Sequence, residues 1–133
     1  MTSDQNGIII IDKPAGITSA RVVSIVKKAL NAKKVGHAGT LDPFAEGVLI
    51  CCINQATKLA DFLLHGSKKY IAELKLGEET DTQDSTGTVI STAEPENYSN
   101  ETLKRVFSAF EGTIEQLPPV YSALKHKGVP LYK

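Results

Sequence analysis

The segment with the greatest chemical potential is Gly36-His-Ala-Gly-Thr-Leu-Asp-Pro-Phe-Ala-Glu-Gly47. Asp42 precedes Pro43, whose ring clashes with a helical conformation at the residue before it, so the aspartate backbone is pushed out of the helical region. Flanking glycines let a second backbone or a substrate approach closely. A carboxylate held on such a loop can serve as a base or a nucleophile while it stays ionised. Asp-Pro also opens ordinary turns, which is the commoner case, and the residues alone do not separate the two readings. Glu46 follows four residues later, so a two-carboxylate arrangement of the glycosidase kind is conceivable, although nothing in the spacing makes the two converge.

Other chemistries lack their residues. No Gly-x4-Gly-Lys-Ser/Thr run is present, so the loop is not a P-loop. Asp81-Thr-Gln-Asp-Ser-Thr-Gly87 resembles a calcium loop, but its glycine comes one position late and Thr92 stands where the closing glutamate belongs. His37, His65 and His126 are far apart, and no Cys/His spacing matches a zinc site. No metal or cofactor is expected.

The elements that must position this loop follow from periodicity. Gly7-Ile-Ile-Ile-Ile-Asp12 is a β-branched run and predicts a buried strand, broken by Pro14 and Gly16. Thr18 or Ser19 then caps a helix over 19–31, with Val22, Ile25, Val26, Ala29 and Leu30 inward. Residues 33–46 read as a loop, 47–53 as a strand, and 55–65 as a helix with Leu59, Phe62 and Leu63 inward. Residues 70–76 alternate, which predicts a strand with Tyr70, Ala72, Leu74 and Leu76 on one face. A polar turn over 77–87 leads to a strand over 88–92. Ser99 or Asn100 caps a helix over 101–111 that carries Leu103, Val106, Phe107 and Phe110 at helical spacing, and Gly112 ends it. The tail from Thr113 carries Pro118-Pro119 and reads as extended. Short strands mixed with single helices imply an α+β fold.

The 133 residues suit one domain, since domains cluster at roughly 100–150 residues. Hydrophobic residues at 41% and charged residues at 23% argue against disorder. No apolar run approaches the roughly 18 residues of a membrane span, and the N-terminal MTSDQN lacks the basic patch and apolar segment of a signal peptide. Fifteen Lys plus Arg balance fifteen Asp plus Glu, but unevenly along the chain. From Lys13 to Leu41 there are six bases and no acid; from Glu73 to Glu101 there are eight acids and one base, Lys75. The basic stretch suits either a solvated helix face or a polyanion-binding edge. Cys51 and Cys52 are adjacent in an apolar run, where strand neighbours point to opposite faces. A disulfide between them is geometrically poor. They read as two small buried thiols, and a reducing, cytoplasmic location follows.

Four segments together resemble the bacterial TruB-type tRNA pseudouridine synthases. They are Ile11-Asp-Lys-Pro-Ala-Gly-Ile-Thr-Ser19; Gly36 to Leu49 followed by Ala56-Thr-Lys58; Lys69-Tyr70 with Leu76-Gly77, Thr80-Asp-Thr-Gln-Asp84 and Gly87; and Gln116-Leu-Pro-Pro-Val-Tyr-Ser-Ala-Leu-Lys125. Each alone is weak, but all four occur in the family's order across nearly the whole chain.

The resemblance implies a mainly antiparallel sheet flanked by helices. It also implies isomerisation of the T-loop uridine of tRNA, at position 55, to pseudouridine. That reaction breaks the N1–C1′ bond, turns the uracil and rejoins it through C5, with no cofactor or metal. By resemblance Asp42 is the catalytic aspartate, through attack on the nucleoside or removal of a ribose proton. Tyr70 matches the family's active-site tyrosine, His37 its histidine beside the flipped-out bases, and Lys13, Lys58 and Lys125 are candidate phosphate or substrate contacts. A loop uridine must be extruded before its C1′ can be reached, and its phosphates need positive charge. The implied partner is the T-arm of tRNA, with no membrane and no obligate protein partner.

Family members are longer. They carry a later strand with a Gly-Thr-Tyr-Ile-Arg-like motif, whose arginine pairs with the catalytic aspartate, and usually a C-terminal PUA domain. The chain is therefore expected to be the N-terminal portion of the catalytic domain and inactive by itself. Three other functions fit parts of the pattern: a guide-RNA-dependent relative, a non-catalytic RNA-binding module, and a nucleoside hydrolase using Asp42 and Glu46.

Overall fold

The computed structural model describes residues 4–116, 125–126 and 129–130. The chain divides into two compact units, Met1–Tyr70 and Ile71–Lys133.

The first unit is built on a three-stranded antiparallel sheet. Strand β1 (Gly7–Lys13) and strand β2 (Val35–His37) flank the central β3 (Gly47–Ile53). Ile9 faces Cys51 and Ile11 faces Leu49 across the β1–β3 pair, and His37 faces Cys51 from β2. Helix α1 (Ser19–Ala29) starts where the Thr18 hydroxyl accepts the Arg21 amide at 3.1 Å. Its Val22 and Val26 join Leu49 and Cys51 in the core, with Ile9, Ile11, Ile17, Val23, Leu30, Val35 and Leu41 packed around them. Burial of Val22, Val26 and Leu49 stabilises the unit by about 1.5–3 kcal/mol each before the entropy of ordering is counted. Cys51 and Cys52 are both free and fully buried, as expected of neighbours on a covered central strand.

After β3 the chain turns at Asn54, whose φ of 51° is left-handed. A 3-10 helix (Asn54–Leu59) leads into the short α2 (Ala60–Leu64). The Thr57 hydroxyl donates to the Asn54 carbonyl at 2.8 Å, and such side-chain bonds compete with regular helix. The expected single helix over 55–65 is thereby split, and Leu59 and Phe62 are exposed rather than inward.

Other expectations need correction. Strand β1 is amphipathic instead of buried on both faces, because α1 covers only the side of Ile9 and Ile11 and leaves Ile8 and Ile10 exposed. On α1, Ile25 is exposed, and Ser19 takes a buried place on the stripe. The loop over 33–46 contains β2.

In the second unit, β4 (Glu78–Thr80) and β5 (Val89–Thr92) form an antiparallel hairpin, the former inside the expected turn. Gly77 enters it at φ 89°, and a Cβ there would meet the Ala93 carbonyl oxygen at 2.6 Å, so only glycine fits. The expected strand over 70–76 is not formed, for no described backbone pairs with it, and Tyr70, Ile71, Leu74 and Leu76 are exposed. Ser99 caps helix α3 (Asn100–Ser108), accepting the Thr102 amide at 3.1 Å. Its predicted apolar face is exposed at Val106, Phe107 and, just past its end, Phe110. Strands β6 (Lys125–His126) and β7 (Val129–Pro130) pair antiparallel. Pro118-Pro119 and most of the fourth segment lie outside the described residues. Every described strand pair is antiparallel, so the α+β class with antiparallel sheets holds. Among the described residues no helix is long and apolar enough to cross a membrane.

Candidate active site

Asp42 sits between β2 and β3 on a loop that is fixed from both ends. The buried Ala38 amide donates to the Ile50 carbonyl at 2.9 Å and extends the ladder one step beyond β2. Leu41, partly buried against the core, exchanges two hydrogen bonds with Ser19 at the start of α1. Its amide donates to the Ser19 hydroxyl at 2.9 Å, and that hydroxyl donates to the Leu41 carbonyl at 3.0 Å. On the other side, the Pro43 carbonyl accepts the Gly16 amide at 2.7 Å and the Lys13 ammonium at 3.2 Å. The Asp42 carbonyl accepts the Ala45 amide at 3.1 Å, closing a turn. The residues before and after Asp42 are therefore both anchored, while Asp42 itself is exposed. Its carboxylate makes no hydrogen bond or ion pair among the described residues. Such an arrangement can present an acceptor, base or nucleophile at a defined place without first ordering a loop.

Lys13 departs from expectation. A phosphate contact needs an accessible head, and Lys13 has no exposed surface. Besides Pro43, its ammonium donates to the carbonyls of Pro14 at 2.9 Å and Ile17 at 2.8 Å. A buried ammonium is tolerated only with its hydrogen-bonding capacity met, and three carbonyls use all three of its protons. No donor is left for a phosphate. Lys13 ties the Pro14–Ile17 turn to the Asp42 loop.

His37 ends β2 half-buried, and its Nδ1 is buried with no hydrogen-bond partner among the described residues. Lys58 is exposed near the end of the 3-10 helix. Tyr70 is exposed beyond α2, in irregular chain. Lys125 is placed in β6 by its backbone, and its side chain lies outside the described features. Glu46 is exposed, and no hydrogen bond joins it to Asp42 among the described residues. Among those residues no group of three acidic, histidine or cysteine side chains is placed to hold a metal.

Of the six bases between Lys13 and Leu41, Lys13 is buried and Lys33 pairs with Asp4 at 2.6 Å. The remaining four, Arg21, Lys27, Lys28 and Lys34, are exposed and have no ion pair among the described residues. Four of the six bases are therefore available to an anion, which suits a solvated face as well as a polyanion-binding edge.

Ser19 was missed as a site residue. Its signal was present, because it stands three and seven residues before Val22 and Val26, on the buried stripe, where a hydroxyl needs a partner.

Comparison with known proteins places these features in a family context. A family model described as TruB family pseudouridylate synthase (N terminal domain) matches residues 27–133. The tRNA pseudouridine synthase B of Blochmanniella pennsylvanica is 49% identical over 130 residues, covering 98% of this chain and 50% of the relative. That of Alkaliphilus oremlandii is 55% identical over 128 residues, covering 96% and 42%. Among solved structures, a chain of a Cbf5-Nop10-Gar1 complex superposes with a TM-score of 0.58 at 29% identity, covering 94% of this chain and 37% of that one. A chain of an H/ACA RNP bound to a substrate RNA containing 2′-deoxyuridine gives 0.57 at 28%, covering 90% and 34%. The chain spans about half the length of the curated relatives it matches.

Proposed function

The chain belongs to the TruB family of pseudouridylate synthases, and on that premise we propose that it is the N-terminal portion of the catalytic domain of a tRNA pseudouridine synthase acting on the T-loop uridine 55. The observation that carries the reading is the exposed Asp42, held between the anchored Leu41 and Pro43.

The reaction is an isomerisation and conserves atoms and electrons. The N1–C1′ bond breaks, the uracil turns, a C5–C1′ bond forms, the C5 proton leaves and N1 regains a proton. No oxidant, reductant or co-reactant is consumed. Asp42 attacks the nucleoside or takes a ribose proton, and either role needs a carboxylate already in place when the flipped nucleotide arrives. Tyr70 stacks on the uracil, and its phenol oxygen assists proton removal at C5. His37 borders the extruded bases, which single-stranded loops offer for stacking and edge contacts. The substrate is the T-arm of tRNA, whose phosphates the exposed Arg21, Lys27, Lys28 and Lys34 attract alongside Lys58 and Lys125.

A stand-alone enzyme is favoured over a guide-RNA-dependent relative. Identity is 46–55% to proteins named tRNA pseudouridine synthase B and 28–30% to chains of the H/ACA RNP and Cbf5 complex structures. By itself the 133-residue chain is proposed to lack turnover, since Asp42 has no cationic partner among its described residues. The test is to incubate the full-length protein with tRNA and digest the product. Pseudouridine in the T-loop supports the reading, free uracil would make the protein a nucleoside hydrolase, and tRNA binding without either product would leave an RNA-binding module.

A further inference from the structure

Lys68 stands two residues ahead of Tyr70 and has no part in the scheme above. Its ammonium donates to the carbonyl of Leu64, the last residue of α2, and to that of Gly66 at 3.0 Å. The Leu64 carbonyl is one that a helix end leaves without a partner, and a lysine there satisfies it. The last methylene of the same side chain lies near Gly39, in the loop that carries Asp42. A Cβ placed on Gly39 would stand 3.8 Å from Lys68 Cε and 3.9 Å from Leu64 Cδ1. Gly39 has φ +120°, a conformation that side chains other than hydrogen rarely adopt, so its backbone shape is itself specified. One side chain thus bonds the end of α2 with its head and places its last methylene beside Gly39 of the Asp42 loop.

We propose, building on the function above, that Lys68 is a positioning residue: by capping α2 and lying beside Gly39 it sets where the chain leading to Tyr70 runs relative to the loop of Asp42. Lys68 contacts neither the substrate nor Asp42. Its effect is to hold two parts of the site in register, which a lysine merely solvated at the surface would not do.

Full-length Lys68→Ala and Lys68→Arg proteins test this by two readouts. In the first, kcat and KM for tRNA are measured separately. Lys68→Ala is expected to lower kcat about tenfold with KM changed less than about twofold, because misplacement acts on the reacting geometry. Lys68→Arg, which keeps a long stem and a donating head, is expected to restore most of the rate. In the second, amide hydrogen exchange is followed across residues 38–42. Lys68→Ala is expected to speed it about tenfold, and Lys68→Arg to leave it near the unaltered rate. A raised KM at unchanged kcat would make Lys68 a phosphate contact and overturn the proposal. Unchanged exchange in Lys68→Ala overturns it whatever the kinetics. If the unaltered protein forms no pseudouridine, the assigned reaction has failed, and the exchange result still decides the role of Lys68.

Discussion

The ammonium of Lys13 reaches the carbonyl oxygen of Pro43 at 3.2 Å, so a charge buried at the end of β1 holds the residue that follows Asp42. The same ammonium spans the Pro14–Ile17 turn. An Asp-Lys-Pro sequence at a strand end thereby becomes part of the support of the Asp42 loop.

Lys13→Met removes the donor of three part-buried hydrogen bonds and leaves the Pro14 and Ile17 carbonyls without it. A loss of about 1–3 kcal/mol is expected, the cost of leaving such groups unpaired. Urea denaturation measures it. If Lys13 were a phosphate contact instead, stability would stay the same and tRNA affinity would fall.

Ser19→Ala cuts both bonds to Leu41 and leaves the Leu41 amide without its acceptor. Destabilisation of about 1–3 kcal/mol is expected, with kcat reduced more than KM is raised. Thermal unfolding and steady-state kinetics on tRNA read the two effects.

The hairpin loop of the second unit carries its own acid sensitivity. Asp84 accepts from the Thr86 hydroxyl at 2.6 Å, the Thr86 amide at 2.8 Å and the Thr82 hydroxyl at 2.8 Å. The Thr86 hydroxyl bond is the main cause that holds its carboxyl below the ordinary value; burial opposes it, and the Thr86 amide and Thr82 hydroxyl add to the lowering. A carboxyl whose folded value is lowered adds stability above its unfolded value, and that contribution is lost as pH falls through the folded one. An NMR titration should show the Thr86 amide shifting with a midpoint below 3.8, the ordinary value, and Asp84→Asn should abolish the transition.

Burial raises both thiols of β3, Cys51 additionally through its neighbour Cys52. The protonated forms are thus favoured in the fold, and this contribution fades only as pH rises through the folded values. At neutral pH neither cysteine should react with an alkylating reagent until denaturant is added. Rapid labelling of either in the native protein would contradict the cover on both faces of β3.

Some of this architecture was legible from residue types alone. The β-branched run from Ile8 to Ile11, the Thr18 cap with Val22 and Val26 behind it, and the apolar run around Cys51-Cys52 each carry a local signal that matches the global fold. The alternation over 70–76 was just as clear, yet a strand exists only where another backbone pairs with it, and no single segment encodes its partner. Strand β2 is three residues including a glycine and a histidine, too short for a period to show. Asp42 was conspicuous through Pro43 and the glycines, whereas the burial of Lys13 depends on three carbonyls converging from two loops. Composition pointed the opposite way, since lysine is almost never fully buried unless paired.

The central claim is that Asp42 performs the isomerisation. It is tested most directly with tRNA tritiated at C5 of its uridines and two full-length proteins, unaltered and Asp42→Asn. The unaltered protein should release tritium and leave pseudouridine at the T-loop position. Asp42→Asn should release it slower by on the order of 100-fold or more, the scale of losing a positioned acid–base group, while binding tRNA with nearly unchanged affinity. Tritium release by Asp42→Asn near the unaltered rate would contradict the account.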